Sequence, residues 1–156
     1  MAYTPRAMRR ASSTIFGGAL CVALALAACR REERVTRCAR CGMAVPASSH
    51  WAAGAVTAGG RALSFDTPGC MFRQRAADPS LRDARLWVTP YYARAGVHED
   101  ARGLVYAAGS NVRGPMGADL IPLRAFEAAT FTRDHRARRV LRFDEVTPEA
   151  LQALSF

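Results

Sequence analysis

Lysine is absent. All 22 basic residues are arginine, set against 13 acidic residues for a net charge of +9. No apolar run reaches the ~20 residues a bilayer-spanning helix needs; the run over residues 15–28 (IFGGALCVALALAA) falls short. No serine stands in a nucleophile elbow, and no glycine-rich loop is placed to cradle a phosphate. Asp83, Glu99, Asp100, Asp119, Asp144 and Glu145 do not pair at a spacing that suits acid–base chemistry. The common hydrolase and nucleotide-binding designs are therefore missing, and nothing marks the chain as an enzyme. The motif CxxC occurs only once, whereas a zinc site of the usual kind draws on two such pairs.

The N-terminus is informative. Arg6, Arg9 and Arg10, with no acid nearby, precede the short apolar run, which closes on Leu26-Ala27-Ala28-Cys29. This order reads as a secretory signal peptide over residues 1–28. Small residues before a cysteine make it a lipobox, with Cys29 the lipidated residue. Three of the 22 basic residues and none of the acids fall in the signal, so the remainder carries 19 against 13, a net +6. Export excludes nucleic acid as the partner. The positive surplus fits anionic headgroups or an acidic protein instead. Residues 29–37, rich in arginine, read as a tether, and residues 38–156 as one compact domain. Arg30 after the lipid cysteine, rather than Asp, leans toward the outer membrane. Residues 133–142, arginine-rich, are a candidate docking face.

Hydrophobic patterning predicts an α+β domain of two similar strand–helix–strand halves. Two short strands lie between Trp51 and Phe65, split by Gly59-Gly60 as a two-residue hairpin turn. Thr67 caps a helix with Pro68 in its first turn, carrying Met71 and Phe72, and Asp78-Pro79 ends it. Strands follow at residues 86–92 and 104–108, then a turn-rich stretch over 109–117 and a strand at 119–121. Pro122 is expected to open a second helix bearing Leu123, Phe126 and Thr130 at 3–4 spacing. A last strand at 140–143 precedes a helix started by Thr147-Pro148, with Leu151 and Leu154 inward.

The chemistry-bearing residues cluster around sulfur. With Cys21 in the signal and Cys29 lipidated, Cys38, Cys41 and Cys70 remain, an odd number and so a poor disulfide framework. Cys38-Ala39-Arg40-Cys41-Gly42-Met43 forms a tight knuckle in which glycine tolerates a left-handed backbone. Met43 sets a thioether beside the Cys41 thiolate. Met116 lies in a rigid turn, Gly114-Pro115-Met116-Gly117. Thiolate with thioether is a soft ligand set that favours copper(I), so Cys41, Met43 and Met116 are the metal-ligand candidates. Their low coordination leaves room for a partner's ligand. Cys70, in the first turn of its helix, is expected to have its pKa lowered by the helix dipole. It is a further metal or redox candidate, as are Cys38 and His50. Two rivals stand beside copper: a zinc-stabilised protein using Cys38, Cys41, Cys70 and His50, and a thiol–disulfide oxidoreductase using Cys38 and Cys41.

The lipobox, CARCGM at 38–43, FDTPGCMF at 65–72, YAAGSNVRGPMGADLIPL at 106–123, FEAATF at 126–131 and VLRFDE at 140–145 together resemble the NosL family of nitrous oxide reductase accessory lipoproteins. The resemblance covers nearly the whole mature chain. It implies halves of treble-clef type and a periplasm-facing, lipid-anchored copper(I) chaperone. Such a chaperone would supply a membrane maturation complex that builds the reductase's copper–sulfur cluster. The family's ligands would fall on Cys41, Met43 and Met116. Arg40 stands where an aromatic or apolar residue would be expected.

Overall fold

A computed structural model describes residues 35–46 and 48–153; the signal peptide, Cys29 and Leu154 lie outside them. Two antiparallel sheets, each served by a helix, organise this α+β unit. The first sheet has the order β4-β3-β5-β6, with β3 Ala53–Val56, β4 Ala62–Phe65, β5 Arg85–Val88 and β6 Glu99–Asp100. The second has the order β10-β7-β11, with β7 Val105–Ala108, β10 Ile121–Leu123 and β11 Arg139–Arg142. Two small hairpins complete the strands. One joins β1 Thr36–Arg37 to β2 Ala44–Val45 and the other joins β8 Arg113–Gly114 to β9 Gly117–Ala118. Pairing of β1 begins at Thr36, inside the stretch read as tether.

Helix α1, Pro68–Ala77, packs on β3 and β4. Its start is dictated locally: Thr67 is extended, its hydroxyl accepts from Cys70 N, and Pro68 occupies the first turn, where a missing N–H costs nothing. The apolar residues Met71 and Phe72 turn inward, and Phe72 meets Tyr106 of β7 edge-on at a centroid separation of 4.9 Å. That contact ties the two sheets into one core with Phe65, Leu86, Leu120 and Leu141. Helix α2, Ala128–His135, covers the other face of the second sheet, burying Phe131 against Ile121 and Leu123. Helix α3, Pro148–Gln152, is capped by Thr147 and buries Leu151 beside α1.

Three local expectations need correction. The β3–β4 ladder ends at Val56–Ala62. Thr57 N then donates to Arg61 O, so the turn holds Ala58 as well as both glycines. Pro122 does not open a helix. It sits in β10 opposite Tyr106, an edge strand where a missing donor is tolerated. Its carbonyl instead accepts from Tyr91 N. As a result Leu123 is buried in a strand and Phe126 stands 78% exposed on a 3₁₀ turn, while Phe131 forms the buried helix contact. Strand β5 stops at Val88, before Pro90.

Candidate metal centre

The CxxC knuckle is the connection between β1 and β2. Cys38 N donates to Met43 O at 2.8 Å and Gly42 N to Cys38 O at 2.9 Å. Gly42 takes φ +79°, the left-handed conformation that closes the turn. A hydrogen bond from Ala39 N to Ser64 O docks the knuckle on β4. Residues of β4 lead directly into Asp66, Thr67 and the first turn of α1, which presents Cys70. Chain segments 38–41 and 66–70 thereby converge.

One ligand atom from each of Cys38, Cys41, Asp66 and Cys70 lies within 4.8 Å of every other. Cys38, Asp66 and Cys70 are buried and Cys41 is exposed. All three cysteines are free thiols. Neither Asp66 oxygen has a hydrogen-bond partner of adequate geometry among the described residues, although the carboxylate is only 3% exposed. Burial works against its charge. The weak S–H donors of Cys38, Cys70 and Cys41 nonetheless outweigh burial and hold Asp66 below the usual carboxylate range. Burial and the facing Asp66 in turn raise the thiol pKa values of Cys38 and Cys70. Expectation fails here for Cys70, because desolvation and the neighbouring carboxylate overcome the dipole of α1. A thiol held protonated in this way is a poor nucleophile, which weighs against Cys38 as the attacking thiol of a dithiol exchange.

The methionines occupy different ground. Met71 is core, with no exposed surface, while Met43 is 37% and Met116 57% exposed. Met43 follows the knuckle glycine. Met116 sits with Pro115 in the turn between β8 and β9, closed by the Gly114–Gly117 pair with Gly117 at φ +101°. His50 is not among the clustered ligands. It is exposed and lines a cleft with Trp51, Val112 and Arg113 near the root of the Met116 hairpin. Trp51 supports that hairpin closely: a Cβ on Gly114 would lie 3.1 Å from its ring. Asp66, which the sequence alone does not single out, is the ligand candidate that the structure adds. Its place directly before the Thr67 cap and four residues before Cys70 was the available signal.

The NosL family model matches residues 31–151. The chain belongs to the NosL family. The crystal structure of the copper chaperone NosL from Shewanella denitrificans has the same fold, with a TM-score of 0.63 and 19% identity over 72% of this chain and 90% of that one. No curated protein matches. No helix among the described residues is long and apolar enough to cross a membrane.

Proposed function

We propose that this NosL family member is a copper(I) chaperone without catalytic turnover, anchored through Cys29 and facing the periplasm, that supplies copper for the copper–sulfur cluster of nitrous oxide reductase. A membrane-bound maturation complex would be the recipient. The observation that carries the reading is the exposure of Cys41, Met43 and Met116, three soft donors available to solvent while Cys38 and Cys70 are buried. Copper(I) accepts such thiolate and thioether donors. An exposed, low-coordinate set lets a recipient's ligand enter before the chaperone's ligands leave. Family membership and the fold shared with a copper chaperone support it.

The test is an anaerobic copper(I) titration of the reduced protein against a competing chelator, with Cys41→Ser, Met43→Ala and Met116→Ala beside the wild type. Stoichiometric binding weakened at all three positions is expected. Binding indifferent to the methionines would overturn this ligand set.

A second metal reading has its own observation. Asp66 offers two buried oxygens that only the weak S–H donors of three neighbouring thiols face among the described residues. Carboxylate oxygen is a poor match for copper(I) but an ordinary zinc ligand, and four donors of the S₃O type suit a closed tetrahedral zinc site. The residues therefore fit a stabilising zinc ion held by Cys38, Cys41, Cys70 and Asp66, with the carboxylate in the place first assigned to His50. Thermal unfolding decides it. Zinc at about 100 times its dissociation constant stabilises by about 2.7 kcal/mol, and Asp66→Asn and Cys70→Ser are expected to lose that increment while His50→Ala keeps it. An increment untouched by Asp66→Asn would refute the site.

A further inference from the structure

The chemistry of the proposed centre is divided between two parts of the fold. Cys38, Cys41, Asp66 and Cys70 belong to the knuckle and the entry to α1, whereas Met116 belongs to the β8–β9 hairpin. One side chain joins the two. Asp119 follows β9 directly, three residues after Met116, and is only 5% exposed. Its Oδ1 accepts from Gly69 N at 2.8 Å and from Leu120 N at 2.7 Å. The Thr67 hydroxyl, which accepts from Cys70 N, faces the same carboxylate. Asp119 thus serves as a cap for α1 delivered from 50 residues along the chain, gripping the turn that carries Cys70.

Gly69 is the counterpart of this arrangement. A Cβ there would lie 2.6 Å from Asp119 Oδ1 and 3.0 Å from Oδ2. Gly69 is the second residue of α1, and the space that a side chain would need there is taken by the Asp119 carboxylate.

We propose that Asp119 is a positioning residue that fixes the Met116 hairpin against the thiol-bearing start of α1, setting the thioether in register with Cys41 for metal capture. The inference rests on the copper reading for its effect on affinity, but the strut itself is testable without metal. Residues that orient metal ligands from outside the coordination sphere typically change affinity about 10–100-fold when removed. Asp119→Ala removes every one of these bonds. Asp119→Asn keeps an oxygen for the Gly69 and Leu120 amides. Gly69→Ala should push the carboxylate away from the opposite side.

Two measurements on the purified, reduced chain test it. The first is amide hydrogen exchange of the metal-free protein. Asp119→Ala and Gly69→Ala are expected to speed exchange across residues 113–118 at least tenfold, with Asp119→Asn close to wild type. Unchanged exchange in Asp119→Ala would overturn the strut whatever copper does. The second is the copper(I) competition titration in a double-mutant cycle. Asp119→Ala is expected to weaken binding about tenfold or more, with little further loss when Met116→Ala is already present. A purely structural role would lower the melting temperature while leaving the losses additive, and additive losses would overturn the positioning role. If Met116→Ala alone does not weaken copper binding, the ligand set fails instead, and the exchange measurement still judges Asp119.

Discussion

Phe72 and Phe126 are the same residue type, one buried in α1 two residues after Cys70 and the other exposed on the 3₁₀ turn before α2, and they should respond very differently to truncation. Phe72 is 2% exposed, meets Tyr106 edge-on at 4.9 Å and Phe143 at 5.2 Å. Removing a buried phenyl ring costs about 3–5 kcal/mol, the lost transfer free energy plus the cavity left behind. The edge-to-face geometry accounts for about 0.5–1.5 kcal/mol beyond area. The site cannot collapse easily, because one wall is a strand of the second sheet and the other is α1 itself. Phe72→Ala is therefore expected near the upper end of that range, with a fall in melting temperature of roughly 10–20 °C. Phe126 is 78% exposed, and Phe126→Ala should stay within about 0.5 kcal/mol of wild type. Urea unfolding of the metal-free, reduced protein measures both. A loss under about 1 kcal/mol for Phe72→Ala would mean that α1 does not unite the two sheets through this ring. A large loss for Phe126→Ala would mean that the exposed ring is covered in solution.

Gly54 sits in β3 opposite Trp87, and a Cβ there would lie 2.3 Å from the indole ring; Gly54→Ala is expected to displace the ring, shift its fluorescence and cost about 1–3 kcal/mol in urea unfolding. A change in emission without loss of stability would refute close packing there. The His98 ring lies 3.9 Å from that of Trp87, tilted by 40°, and burial depresses its pKa below the ordinary histidine value. The unfolded chain then takes up this proton first as pH falls, so stability should decline on acidification through pH 6.5 toward the lower folded value. His98→Asn is expected to flatten that part of the profile, and a wild-type denaturation midpoint constant from pH 7 to pH 5.5 would contradict it.

Much of the fold was legible where a local signal had one meaning. Thr67-Pro68 and Thr147-Pro148 each start a helix because the hydroxyl cap and the N–H-free proline satisfy the same local requirement in any context. Pro122 misled because its signal has two meanings. Proline suits a helix's first turn and equally an edge strand, and only the pairing with Tyr106 on a strand closer in sequence to the first sheet decides between them. The same tertiary decision moved Leu123 into the core and left Phe126 outside. Within the centre, Cys38, Cys41 and Cys70 could be named from the chain, since a thiol is a metal-ligand signal that needs no tertiary context. Asp66 could not, because an aspartate before a helix cap is common and its meaning depends on what faces it. Cys70 illustrates the limit of a local rule. Its place in the first turn of α1 predicts an activated thiolate, yet burial and the facing carboxylate reverse the sign.

Exposure divides the donor atoms into two groups with different physical tasks. Cys38, Cys70 and Asp66 are buried, so a metal among them would be shielded from competing ligands and slow to leave. Met43 and Met116 are exposed and neutral, so they would add soft donor capacity without the desolvation cost that a second exposed thiolate would carry into a protein interface. Cys41 alone is both a member of the thiol cluster and exposed. Any exchange of metal between this chain and a recipient would have to pass that sulfur, and a chaperone built this way keeps its stabilising ligands out of the partner's reach. Cys41→Ser should therefore be the one substitution that impairs both the copper titration and the zinc-dependent gain in stability, whereas Met43→Ala should impair only the first and Cys70→Ser chiefly the second. Equal damage to both measurements from all three would dissolve the division and leave a single mixed site.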